Sequence, residues 1–151
     1  MRIGFTGTQR GMTVAQRFEF VDLLRGKAGW LHHGDCVGAD AGAHSLACDL
    51  GFLIALHPPE SPSKRAWCRP AAVTHPPKPY LDRNKDIVRG TECLIAAPGE
   101  DQEQLRSGTW STVRFARKLK RPIAIIYPDG HCAYENGFLD EIGNLTSPAP
   151  S

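Results

Sequence analysis

The sequence predicts an α/β fold, an open doubly wound sheet of about five mainly parallel strands with helices on both faces. Three observations carry this. Short, almost wholly apolar runs alternate with segments of helical periodicity as far as about residue 127. Runs without a polar face are what a parallel sheet covered on both sides requires. Glycines gather where these runs end, at the short loops that an α/β chain needs.

The elements follow in order. Arg2 to Thr6 is the first apolar run, closed by Gly7-Thr8-Gln9-Arg10-Gly11. Thr13 suits a helix N-cap, and Val14, Phe18, Val21 and Leu24 recur at helical spacing behind it. Trp30 to His33 is the second strand, stopped by Gly34-Asp35. Asp40 stands at a plausible N-cap, and Ala43, Leu46, Ala47 and Leu50 form the next stripe before Gly51. Phe52 to His57 is the third strand. Periodicity returns at Tyr80 to Arg89 through Leu81, Asn84, Ile87 and Val88. Cys93 to Ala97 is the fourth strand, ended by Pro98-Gly99, and a polar loop runs from Glu100 to Ser107. Gly108-Thr109 opens a helix with Trp110, Val113, Ala116 and Leu119 on one side. Pro122 to Tyr127 is the fifth strand, and a hairpin or short helix is expected around Tyr134 to Ile142.

Composition bounds the rest. The chain of 151 residues is one domain's worth, with room for one core. We place a single domain at 1–145 and a flexible tail at 146–151. Eighteen Lys+Arg against sixteen Asp+Glu leave +2, too balanced for a protein that coats nucleic acid. No apolar run is long enough to span a membrane. The start, Met1 to Phe5, reads as a strand rather than a signal peptide, and five cysteines without a C-x-x-C pair do not suggest a disulfide framework. A reducing cytoplasm is the expected setting. The 15 glycines and 12 prolines are unevenly spread. Seven of the prolines lie between Pro58 and Pro79, a stretch whose ionised residues sum to +3. A loop of that length inside a compact domain is usually functional or disordered.

In an open parallel sheet, ligands bind beyond the carboxyl ends of the strands. Glycine there lets backbone N–H groups approach an anion without a Cβ in the way. A helix N-terminus adds free N–H donors and about half a positive charge. The recurrence at Gly7-Thr8-Gln9-Arg10, at Gly34 to Asp40 and at Pro98-Gly99 with Ser107-Gly108-Thr109 therefore reads as one phosphate-accepting rim. Thr109 and Thr112 would add hydroxyls. Against this stands the plain need of α/β loops for turn residues. Neither G-x-x-x-x-G-K-[ST] nor G-x-G-x-x-G is present.

Taken together, Gly4-Phe5-Thr6-Gly7-Thr8-Gln9-Arg10, His33-Gly34-Asp35-Cys36-Val37-Gly38-Ala39-Asp40, Arg83-Asn84-Lys85-Asp86, Ala97-Pro98-Gly99 and Ser107-Gly108-Thr109-Trp110-Ser111-Thr112 resemble the SLOG superfamily. That group includes the Smf/DprA and LOG proteins, and the resemblance points to the YspA/YpsA-related stand-alone branch over residues 2–127. It implies a Rossmann-like fold that binds a nucleotide or nucleotide-derived ligand at this rim. By resemblance Gly7, Thr8, Gln9 and Arg10, then Gly34, Asp35 and Gly38, then Arg83 and Asn84 line the site. Gly108 and Thr109 hold its phosphate, and Pro98, Gly99, Ser107 and Thr112 complete the ligand-binding rim. Asp40 matches the motif's acid, or caps its helix. A homodimer is also in keeping with the family.

One departure matters. LOG enzymes carry PGGxGTxxE, whose glutamate serves phosphoribohydrolase chemistry. Here Thr112 stands in that place, and Pro98-Gly99 is separated from Gly108 by eight residues. A threonine cannot act as a carboxylate base. Asp35, Glu100, Asp101 and Glu103 are the candidates to replace it.

Several further groups have both a functional and a structural role open to them. Lys64, Arg65, Trp67 and Arg69 in the Pro-rich loop suit a lid, with cations for phosphate and Trp67 for stacking on a base. A loop packed on its own prolines is the equal alternative. Six histidines lack H-x-x-x-H or H-E-x-x-H spacing, so no metal is expected. His32 and His33 should face opposite sides of the sheet, while His33, His57 and Asp35 could meet at the rim. His44, His75 and His131 read as surface residues. Cys36 lies where a helix N-terminus would lower its pKa, but no base accompanies it. Cys48 and Cys93 read as core.

Three functions fit these residues. The first is a nucleotide-binding sensor or module whose ligand is an adenine nucleotide or an NAD- or ADP-ribose-like molecule, with no cofactor required. The second is a hydrolase cutting the N-glycosidic or phosphate bond of a nucleotide. The third is a DprA-like single-stranded DNA module, which the low net charge disfavours. Gly108→Asp is expected to abolish phosphate binding with the fold intact.

Overall fold

The computed structural model describes residues 1–143, so the tail expected at 146–151 lies outside the described residues. The strands are β1 (Arg2–Gly7), β2 (Trp30–His33), β3 (Leu53–Leu56), β4 (Val73–Thr74), β5 (Cys93–Ala97), β6 (Ile123–Ile126) and β7 (Cys132–Glu135). The helices are α1 (Val14–Leu24), α2 (Ala39–Asp49), α3 (Tyr80–Arg89), α4 (Gly108–Lys118) and α5 (Phe138–Gly143). They build one α/β sheet in the order β4-β3-β2-β1-β5-β6-β7. All neighbours are parallel except β7, which returns antiparallel to β6 with Ile126 opposite Cys132. The expected strands are present, and two more join them. The expected hairpin supplies β7. The two-residue β4 arises inside the Pro-rich stretch, where Val73 pairs with Ala55. A strand this short has no periodicity for a sequence to display.

Side chains alternate across the sheet. Ile3, Phe5, Leu31, Ile54 and Ile95 pack under Phe20, Leu24, Ala43 and Phe138 of α1, α2 and α5. Leu94, Ala96, Ile123 and Ile125 face Val88, Trp110, Val113 and Ala116 of α3 and α4. Gly4 brings α3 close, for a Cβ there would lie 2.9 Å from Thr91 Oγ1.

Helix α1 shows a second difference. Its start is as expected: Thr13 and Gln16 form a reciprocal capping box. The buried face, however, is Gln16, Phe20 and Leu24, whereas Val14 is 84% and Phe18 69% exposed. The Gln16 amide decides the rotation. It donates to the carbonyls of Pro98 at 2.8 Å and Ile126 at 2.9 Å, beyond the ends of β5 and at the end of β6. Those buried carbonyls need donors, and an apolar stripe alone does not reveal that need. Leu81 and Leu119 likewise end up exposed.

Candidate functional site

The centre of the sheet is where strand order switches direction, between β1 and β5, and such a switch opens a crevice beyond the strand ends. Here the loop after β1 is tied down on both sides. Thr8 N–H donates to the Ala97 carbonyl at 3.1 Å, and the Thr8 carbonyl accepts from Ala39 N–H at 2.9 Å. Two adjoining cavities result.

The outer cleft, of about 180 Å³, is lined by Gly7, Thr8 and Gln9, by Gly99 and Glu100, by Ser107, Gly108 and Thr109, and by Tyr80. Ser107 caps α4 by accepting from Trp110 N–H at 3.3 Å. The N–H groups of the first turn have no intrahelical acceptor, and Gly108 and Thr109 bring them to the cleft wall. Arg10 lies outside, its guanidinium on Glu100 at 2.8 Å. Thr112 is buried and turned back, donating its hydroxyl to the Gly108 carbonyl at 2.9 Å. Pro98 is occupied by Gln16.

The inner cavity takes in Gly7, Gln9, Gly34, Cys36, Asp40, Tyr80, Arg83 and Asn84. Arg83 is 3% exposed. Its Nε donates to Asn84 Oδ1 at 2.7 Å and its Nη1 to the carbonyls of Gly34 and His57. Its Nη2 reaches only the Cys36 sulfur, at 3.6 Å. Among the described residues no carboxylate pairs with it. Asp40 is 7% exposed and sits in the first turn of α2 rather than at the cap, which is Gly38 at φ 93°. Its Oδ2 accepts from Cys36 N–H at 3.2 Å. Burial raises its pKa to about 6, against the pull of Arg83. Gly34 is wedged between the two charges, and a Cβ there would overlap the Arg83 guanidinium and stand 2.9 Å from Asp40 Oδ2.

Two groups named from the sequence serve the Pro-rich loop instead. Asp35 is fully buried at φ 52°. Its carboxylate accepts from Arg65 Nε at 2.7 Å and from Cys68 N–H at 2.8 Å. Arg65 also lies 3.8 Å over the Trp67 ring. Arg65, Trp67 and Arg69 border a separate groove with Leu56 and Thr74, while Lys64 borders a shallow one beside Gln9 and Tyr80. The loop is therefore folded, clipped by Val37 N–H to the Lys64 carbonyl at 3.0 Å, and it brings Lys64 alone of the four to the cleft's side.

The histidines pair across the sheet as their alternation implies. His32 Nδ1 lies 2.9 Å from His57 Nε2, and His33 Nε2 lies 2.9 Å from His44 Nδ1. His44 is buried, not a surface residue. Burial lowers His32 to about 4 and His57 to about 3, and holds His33 well below its ordinary value. His33, His44 and Cys68 lie close enough to suggest a metal site, but the ring chemistry does not suit one. His33 Nδ1 accepts from Asp35 N–H at 3.0 Å. A metal on Nε2 would leave that imidazole with no proton, whereas metal-bound histidines donate through the other nitrogen. The Cys36 thiol is pushed up by burial and by Asp40, the reverse of an activated nucleophile.

The described helices include none long and apolar enough to cross a membrane. No protein-family model matches the chain, and no curated protein matches its sequence. Solved structures do match its fold. The molybdenum cofactor binding protein of the phototrophic bacterium Rippkaea orientalis is 19% identical, with a TM-score of 0.62 over 99% of this chain and 89% of that one. The structural-genomics target TM1055 is 14% identical, with a TM-score of 0.60 over 81% of this chain and 71% of that one. DNA processing protein A from Helicobacter pylori, described for its single-stranded DNA binding mode, is 16% identical, with a TM-score of 0.57 over 95% and 72%. At such identities the likeness is one of fold. The chain shares its Rossmann-like α/β fold with these three proteins.

Proposed function

We propose that the protein binds a nucleotide or nucleotide-derived ligand, an adenine nucleotide or an NAD- or ADP-ribose-like molecule, as a sensor or binding module. The observation that carries this reading is the joining of two anion-favouring features at the strand-order switch. The first turn of α4 lines the outer cleft, and Arg83, which forms no ion pair among the described residues, lines the cavity beside it together with Asp40. A phosphate seated against Gly108 and Thr109 would take up the free N–H groups of α4. Arg83 stands in the adjoining cavity, held by Asn84, the Gly34 and His57 carbonyls and the Cys36 sulfur, and its positive field favours an anion in the cleft.

Isothermal titration with AMP, ADP, NAD and ADP-ribose tests the reading. Saturable binding of at least one, weakened tenfold or more by Arg83→Gln, is the expected result. A flat titration for all four would overturn it. A single-stranded DNA ligand is disfavoured by the net charge of +2.

A further inference from the structure

A groove of about 560 Å³ lies beside the carboxyl ends of β3 and β4 and shares no lining residue with either rim cavity. One wall is the tip of the Pro-rich loop, and that tip is wound around a single buried residue. Arg65 Nε and Cys68 N–H donate to the Asp35 carboxylate, and Ala66 N–H donates to the Asp35 carbonyl at 2.7 Å. Trp67 is the one residue of these four that Asp35 does not hold. It stands exposed at φ 57°, a backbone conformation that bulky side chains rarely adopt, with the Arg65 guanidinium across one face of its ring. An indole held out in water gains little from burial, so the packing of the fold does not account for it.

The groove is also cationic. Asp35 meets the charge of Arg65, but Arg69 is exposed and has no acidic partner among the described residues. Lys78 is tied to Asp86. Glu60, the single acidic residue between Pro58 and Pro79, borders the shallow groove with Lys64 instead.

Beside the groove the sheet ends in an open edge, β4. His75 N–H donates to the Leu56 carbonyl of β3 at 2.9 Å. The Thr74 carbonyl belongs to the same trans peptide unit, so it points away from β3, and the Thr74 N–H points with it. Thr74 is in register with Leu56, which puts both side chains on the face that holds the groove. A strand laid along β4 would bond to Thr74 and turn alternate side chains onto that face. Pro76 and Pro77 close the edge just beyond, so pairing is limited to a few residues.

We propose that this edge and groove dock an acidic segment of a partner protein in extended form. The segment adds a short strand beside β4, as sheet edges do with extended peptides. Its backbone pairs with Thr74, a carboxylate meets Arg69, and an apolar side chain two residues along lies against Trp67. Charge selects the occupant. A second copy of this chain would bring the same +3 stretch edge to edge, and like charges oppose that pairing. Nucleic acid offers phosphates but no amide groups for an open strand edge. The site is independent of the nucleotide reading, since no rim residue takes part.

The test uses fluorescein-labelled hexapeptides in which Glu alternates with Val, Thr or Phe, the same peptides with Lys in place of Glu, and a labelled oligo-dT. Binding is read by anisotropy, and the fold of each variant by thermal melt. At least one Glu peptide should bind saturably, and its Lys counterpart should not. Arg69→Glu should weaken that binding by about tenfold or more. Thr74→Pro should weaken it by about threefold or more, because it removes the outward N–H at a place where an edge strand tolerates proline. On wild type, saturating peptide should slow hydrogen exchange of the Thr74 amide by about tenfold or more. No binding of any Glu peptide overturns the proposal, as does equal binding of the Lys peptides or unchanged affinity in Arg69→Glu. Oligo-dT that binds more tightly than every Glu peptide, and is weakened by Arg69→Glu, assigns the groove to nucleic acid and overturns it too. If a variant fails to fold, the wild-type exchange decides, and peptide binding that leaves the Thr74 amide unprotected counts against the added strand.

Discussion

Asp40 and Arg83 face one water-sized cavity from opposite elements, α2 and α3, and do not form an ion pair. Opposite charges buried this close usually meet, because contact offsets part of the cost of leaving water. Here Arg83 spends its donors on Asn84 and on the carbonyls of Gly34 and His57. The field of the guanidinium reaches Asp40, but burial outweighs it.

A consequence for stability follows with a definite sign. The folded-state pKa of Asp40, about 6, is above the ordinary 3.8. The unfolded chain therefore binds fewer protons between pH 4 and 6, and Asp40 costs stability as pH rises through that window. Asp40→Asn should raise the melting temperature at pH 7, by up to about 3 kcal/mol in unfolding free energy, and change it little at pH 4. Melts of both proteins at the two pH values check this. Equal melting temperatures at pH 7 would mean that the carboxylate is not held at a cost.

The histidines act in the opposite sense. His32, His33 and His57 have folded-state values below their ordinary 6.5. Their neutral forms stabilise the fold fully above pH 6.5, and that contribution is lost as pH falls toward 4. Arg2 and His75 add to the lowering of His32, and His75 and His32 to that of His57. Three such groups outweigh Asp40. Urea melts should show a midpoint that falls steadily from pH 7 to pH 4.5. His57→Gln should flatten part of this slope, and an unchanged slope would remove His57 from the account.

Gly108 is more than part of an anion site. A Cβ there would overlap the Tyr80 hydroxyl and ring. The sequence expectation that Gly108→Asp spares the fold is thereby revised, since even Gly108→Ala must displace Tyr80. That substitution should cost about 1–3 kcal/mol as overpacking and weaken nucleotide binding at least tenfold. Adding Tyr80→Ser should restore most of the stability without restoring binding. Chemical denaturation and titration of the single and double variants separate the two effects.

Asp35 holds the Pro-rich loop from below. Removing its carboxylate leaves Arg65, whose side chain is only 15% exposed, without its partner and the Cys68 N–H without an acceptor. Asp35→Ala should cost about 3–5 kcal/mol and open residues 58–79 to limited proteolysis, with the first cuts near Lys64 and Arg65. A wild-type digestion pattern would show that the loop is held by its other contacts.

The alternation of apolar runs with helical segments was enough to place five strands, four helices and the rim, because both faces of a parallel sheet leave an unmistakable pattern. The capping box at Thr13 and Gln16 was partly legible too, since capping is local in sequence. Other features depend on groups far apart in the chain. Gln16 turns α1 because carbonyls 82 and 110 residues away need its amide. Asp35 and Asp40 lie five residues apart in one glycine-rich loop and helix start, yet one anchors a distant loop and the other faces the cavity. His44 is buried because His33 lies across from it. Charge, spacing and propensity were the same in every alternative. Which partner each polar group met, and whether water reached it, was decided by packing across the sheet, and only the tertiary structure contains that.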